Sequence, residues 1–91
     1  MAAKTPSSVK IENFGTSTMY IASFADIDSG DTWASNVTEA IMYWANPTDN
    51  PTRLFENIDV SYSNSATTSG VFNFYPAENS RTCDLYVLTR G

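Results

Sequence analysis

Residues 30–51 read GDTWASNVTEAIMYWANPTDNP, and the reading of the run EAIMYWA at 39–45 within them decides the fold. A turn formed by Asp28, Ser29, Gly30 and Asp31 opens the stretch, and the Pro-punctuated loop NPTDNP at 46–51 closes it. Such residues favour non-extended backbone, whereas the dense apolar and aromatic run between them calls for burial. Residues 38–44 also fit the first turns of a helix capped by Thr38. Against that, Ile41, Tyr43 and Trp44 favour β structure, and Pro47 and Pro51 cut the pattern short. The run is therefore read as a buried strand at the centre of a small β domain.

Working outward, residues 9–14 form a first strand ending at Gly15, and residues 18–27 a second. Along the second, Met19, Ile21, Ser23, Ala25 and Ile27 fall on one face and Tyr20, Ala22, Phe24 and Asp26 on the other. Apolar bulk on both faces predicts a strand that is central or covered on both sides. Residues 32–35 make a short strand holding Trp33. Beyond the Pro loop, residues 52–57 read as irregular. Residues 58–63 alternate Ile58, Val60 and Tyr62 with Asp59, Ser61 and Ser63, the pattern of a strand with one wet face. A polar hairpin loop at 64–69 leads through Gly70 to a strand at 71–75, stopped by Pro76. A second hairpin loop, 77–81, leads to a last strand at 82–90, with Cys83, Leu85 and Val87 on one face and Tyr86 and Leu88 on the other. About seven short antiparallel strands separated by turn signals predict an all-β fold, a single-domain sandwich or barrel spanning residues 9–91. Residues 1–8, MAAKTPSS, read as a flexible polar arm, either a tail or a segment that orders on a neighbouring subunit.

Composition narrows the function. The chain has no histidine, which removes Ser–His and Cys–His nucleophiles and the commonest metal ligand. Cys83 is the sole cysteine, so no intrachain disulfide forms, and its alternation with Leu85 and Val87 suits a buried, inert thiol. Ten acidic and five basic side chains give a net charge of −5, with Lys4, Lys10, Arg53, Arg81 and Arg90 dispersed. Nucleic-acid binding, which needs clustered Lys and Arg, is not expected. No apolar run approaches the ~20 residues of a membrane helix, and 1–8 lack a signal-peptide core, so neither membrane insertion nor secretion is expected.

Local motifs add little chemistry. Asp28-Ser29-Gly30 matches the aspartic-protease triplet, but Asp31 follows it, and a third charge would upset a shared-proton dyad. Asp26, Asp28 and Asp31 suggest a loose calcium turn, but the EF-hand pattern fails at Val37. Asn36-Val37-Thr38 is a glycosylation sequon by pattern alone. The expectation is a non-enzyme with no cofactor and no bound metal.

The aromatic content is more informative. Two tryptophans, five tyrosines and five phenylalanines exceed what the inner faces of one 91-residue domain can hold, so some must face outward. Exposed aromatics concentrate at partner surfaces. The candidate partner-binding residues are Trp33, Trp44 and Tyr86, joined by Lys4, Thr5 and Pro6 of the arm.

Gly30-Asp31-Thr32 at the head of a strand, a strand followed by NPTDNP, and the Tyr62-Ser63, polar turn, Gly70-Val-Phe-Asn-Phe-Tyr-Pro76 hairpin occur in that order, and the chain then runs to Leu85-Tyr-Val-Leu-Thr-Arg-Gly91. Across residues 27–91 this resembles the small all-β accessory proteins of tailed bacteriophage virions, including capsid decoration (cement) proteins. The resemblance implies a virion structural protein on the capsid surface, made in the host bacterial cytoplasm. Its implied partner is the major capsid protein, whose shell it would stabilise, with self-association a further expectation. The alternatives are another binding module, such as a phage tail or fibre component, or a carbohydrate-binding β-sandwich.

Overall fold

Alternation along the last strand sets the architecture: Arg81, Cys83, Leu85, Val87 and Thr89 are buried, while the residues between them are half-exposed. A computed structural model describes residues 2–49, 58–64 and 70–90. All regular structure among the described residues is β, in strands β1 (Ser8–Asn13), β2 (Ser17–Ile27), β3 (Thr32–Ala34), β4 (Ala40–Pro47), β5 (Ile58–Ser63), β6 (Val71–Pro76) and β7 (Arg81–Arg90). They join into one curled sheet, antiparallel throughout, in the order β1-β2-β7-β4-β5-β6-β3.

The curl brings distant strands face to face. Phe24 of β2 meets Trp33 of β3 edge-on at 5.3 Å and Phe74 of β6 at 5.0 Å, although these strands lie far apart in the sheet order. Ala22, Ile27, Val37, Ile58, Phe72, Cys83, Leu85 and Val87 complete the inner core. Each fully buried large apolar side chain contributes roughly 1.5–3 kcal/mol, so this inner face is the main source of stability.

The strands lie close to where the sequence places them, with three differences that have physical causes. The run at 39–45 does supply the strand in the middle of the order, β4, but Ile41, Met42 and Trp44 are 52%, 55% and 41% exposed, so the expected burial of this strand is corrected. Only its inward residues Ala40, Tyr43 and Ala45 pack on the core. In β2 the alternation does not continue to Ile27. A bulge between Phe24 and Ile27, with Asp26 at φ 54°, returns Ile27 to the core face beside Phe24. As one of the two alternatives had it, β2 is flanked in the sheet, by β1 and β7, and its outer face has no covering layer among the described residues. Arg81, expected in a hairpin loop, opens β7 instead and is buried, because Asp49 neutralises it. The expectations for 52–57 and for most of the 64–69 loop lie outside the described residues.

The N-terminal segment bonds along the chain's own sheet. The amide of Lys4 donates to Thr32 O (2.7 Å), the amide of Thr32 to Ala2 O (2.9 Å), and the amide of Ser7 to Ser23 O (2.8 Å). Residues 2–4 therefore lie parallel along the outer edge of β3, and Ser7 already touches β2 at the opposite end of the sheet order.

Candidate functional site: an outward apolar face

Cross-strand partners in an antiparallel sheet share a face, so the register shows what the wet side of the sheet carries. Trp44 pairs with Tyr86, and Tyr86 with Ile21; Met42 pairs with Leu88, and Leu88 with Met19. These two rows cross β4, β7 and β2 on the side opposite Leu85 and Val87. They put large apolar side chains where a sheet facing water would carry polar ones. Trp44 and Tyr86 stack with ring centroids 5.0 Å apart and planes 2° from parallel, which fixes both rotamers and presents a rigid aromatic block. Ile41, at the bulge between Ala40 and Met42, is exposed as well.

Polar residues border the rows on two sides. Asn46, Asp84 and Ser23 form the next cross-strand row, in which Ser23 Oγ donates to Asp84 Oδ1 at 2.7 Å. On β1, Lys10 lies beside Ile21 and Glu12 beside Met19. An apolar centre with a polar rim is the arrangement of a protein-docking surface.

The residues singled out from the sequence separate into three places. Trp44 and Tyr86 come together on this face. Trp33 turns inward, stacking on Phe72 at 5.9 Å and meeting Phe24 edge-on, so it packs against the core instead of joining them. Lys4 lies in the segment along β3, where its Nζ stands 3.8 Å from Asp31 Oδ2, and Thr5 and Pro6 lead from there to Ser7 beside β2. Met19, Ile21, Met42 and Leu88 were not singled out. Their signal was the second apolar face of β2, β4 and β7, which is equally the pattern of a strand covered on both sides.

The acidic turn is used structurally. Asp31, 1% exposed, accepts from the amide of Ala2 at Oδ1 (3.0 Å) and of Asp28 at Oδ2 (2.8 Å). Burial alone would push its carboxyl up, but those two amides and Lys4 together hold it below the usual value. Asp28 Oδ1 accepts from the amide of Ser80 (2.8 Å). Both carboxylates of the Asp-Ser-Gly-Asp turn thus serve backbone donors. Among the described residues, no three His, Cys, Asp or Glu side chains gather as metal ligands. Burial, with the charges of Asp84 and Asp49, pushes the Cys83 thiol up to about 12, which leaves it un-ionised and a poor nucleophile.

A further carboxylate ties the end of β4 to the start of β7. Asp49 takes a bidentate contact from Arg81, with Nε at 2.7 Å and Nη2 at 3.1 Å, and a third bond from the amide of Thr82 at 3.1 Å. The Arg81 hydrogen bonds hold its carboxyl below the usual value despite partial burial. Among the described residues, no helix is long and apolar enough to cross a membrane. Comparison with known protein families, with curated proteins and with solved structures finds no match to this chain.

Proposed function

We propose that this chain is a structural binding protein that attaches to a protein surface through the outer face of β4, β7 and β2, and that it acts without catalysis. The observation that carries the reading is the Trp44–Tyr86 stack at the centre of an otherwise apolar outer face with a polar rim. Rigid, partly exposed aromatics of this kind are the residues that dominate binding energy at protein interfaces. The specific form proposed is the one suggested by the sequence resemblance: a decoration protein seated on the shell of a tailed bacteriophage, with the major capsid protein as partner. Many copies, each with a modest contact spanning subunit boundaries, together raise the barrier to shell disruption. The curled sheet is read as an incompletely closed barrel and not a two-sheet sandwich, because β2 and β3 meet through ring contacts on a continuous inner face.

Co-sedimentation with phage shells tests the reading. Trp44→Ala should lower shell occupancy strongly, by about thirtyfold in affinity if Trp44 is worth the roughly 2 kcal/mol of an interface anchor. The same change should cost the fold less than about 1 kcal/mol, since it removes one exposed cross-strand pair. Trp33→Ala should do the reverse, lowering stability through the core. Shell occupancy unaffected by Trp44→Ala would remove the face from the account. Saturable binding on a glycan array that disappears in Trp44→Ala would replace the protein partner with a carbohydrate.

A further inference from the structure

The two ends of the sheet are treated differently. At one end, residues 2–4 cover the outer edge of β3 with backbone hydrogen bonds. At the other, β1 pairs only with β2 among the described residues, and all six of its residues are exposed. Val9 and Ile11 are 42% and 58% exposed although they share a face with Ala22 and Tyr20, which pack in the interior. An exposed edge carrying unpaired backbone groups and apolar side chains is a template for another strand.

The register says which backbone groups are free. β1 and β2 pair without a break from Ser8↔Ser23 to Asn13↔Thr18, and the amide of Phe14 donates to Ser17 O, the next step of the same register. In an antiparallel ladder, alternate residues turn their amide and carbonyl toward the neighbour. The even residues Lys10 and Glu12 therefore point theirs at β2. Val9, Ile11 and Asn13 point theirs at the open edge.

We infer that β1 pairs antiparallel with β1 of a second copy, about a two-fold axis at Ile11, giving a dimer with one continuous sheet. In that register Ile11 of each copy exchanges both backbone hydrogen bonds with Ile11 of the other, and Val9 bonds opposite Asn13. Lys10 then lies directly opposite Glu12 of the second copy, and Glu12 opposite its Lys10, so both charged pairs are complementary. The neighbouring two-fold registers are disfavoured by the same side chains: one sets Lys10 against Lys10, the other Glu12 against Glu12. Within its own chain Lys10 faces Ile21 and Glu12 faces Met19, so neither charge has an opposite partner across β2. The pairing also joins the outer faces of two copies across the Lys10–Glu12 row. This inference goes beyond the proposed attachment: it concerns the β1 edge and holds whatever the outer face binds.

Sedimentation equilibrium on the full chain, up to about 1 mM, tests it with a charge-reversal set. The unmodified chain should dimerise. Glu12→Lys and Lys10→Glu should each weaken dimerisation by about tenfold or more, because two opposed pairs change sign. An equimolar mixture of the two variants should recover a heterodimer, and the double variant with both changes should recover the homodimer. Circular dichroism on each variant verifies that the exposed substitutions leave the sheet intact. A chain that stays monomeric over the whole range overturns the inference, as does a dimer whose stability ignores both reversals or a mixture that fails to associate.

Discussion

A Cβ added to Gly70 would lie 2.5 Å from the carbonyl oxygen and 2.6 Å from the nitrogen of Val37. The backbone there also has φ +62°, and its carbonyl accepts both the amide (2.9 Å) and the Oγ hydroxyl (2.5 Å) of Ser35. The obstruction is backbone, which cannot swing aside as a side chain can. Gly70 therefore locks the connector between β3 and β4 against the start of β6, and Tyr62 Oη donating to Val37 O (2.5 Å) fastens the same point from β5. Gly70→Ala should cost roughly 1–3 kcal/mol from overpacking, with a further penalty for the left-handed backbone. Urea unfolding measures it, and a variant within about 0.5 kcal/mol of the parent would show that the connector moves away freely. The sequence marks Gly70 only as the end of a polar turn. The close approach depends on which loop the curl brings over it, and no local pattern encodes that.

At the scale of the element, the N-terminal segment behaves as an edge cover. Removing residues 1–6 takes away the Lys4–Thr32 and Thr32–Ala2 backbone bonds and the Ala2 amide bond to Asp31, together with the Lys4 charge beside that buried carboxylate. At about 0.5–1.5 kcal/mol for each bond, the truncation should lower unfolding free energy by roughly 2–4 kcal/mol. It should also bare the β3 edge, so that the truncated chain associates through a surface the full chain covers. Chemical denaturation and light scattering on the truncated chain measure the two effects, and unchanged stability would mean that the segment is only a tail. Strand positions were legible because period-two alternation and turn residues are local signals: β5 matches residue for residue, and Cys83, Leu85 and Val87 of β7, which the alternation puts on one face, are buried. Which strand is wet was not legible. β4 and β2 carry apolar side chains on both faces, and a strand covered by a second layer looks the same as one awaiting a partner. Two of the six residues in the apolar rows, Trp44 and Tyr86, followed from aromatic surplus alone. The other four, Met19, Ile21, Met42 and Leu88, needed the register.

For the molecule as a whole, the response to acid follows from where two carboxylates sit. Asp31 ties the N-terminal segment and the β2–β3 turn together, and Asp49 neutralises Arg81 at the mouth of β7, so each joins stretches distant in sequence. Both are held below the ordinary value of 3.8, Asp31 by amide hydrogen bonds and Lys4 that outweigh burial, Asp49 chiefly by Arg81. Above 3.8 the two groups are ionised in folded and unfolded chains alike, and their contribution is complete. As pH drops below that value the unfolded chain takes up protons first, and stability falls until the folded carboxyls are protonated too. General charge repulsion is smallest near the pI of about 4.2 and adds to this fall below it, so the Asp→Asn variants separate the two contributions. The chain carries −5 near neutrality, and full protonation of its acidic groups leaves the five basic ones, a charge of similar size and opposite sign. The urea midpoint should therefore be nearly flat between about pH 7 and pH 5 and fall steeply below about pH 4. Asp31→Asn and Asp49→Asn should each start from a less stable protein at neutral pH and lose less on acidification, so their curves converge on the parent's at low pH. Curves that instead run parallel to the parent's down to about pH 2.5 would place the acid sensitivity in other groups.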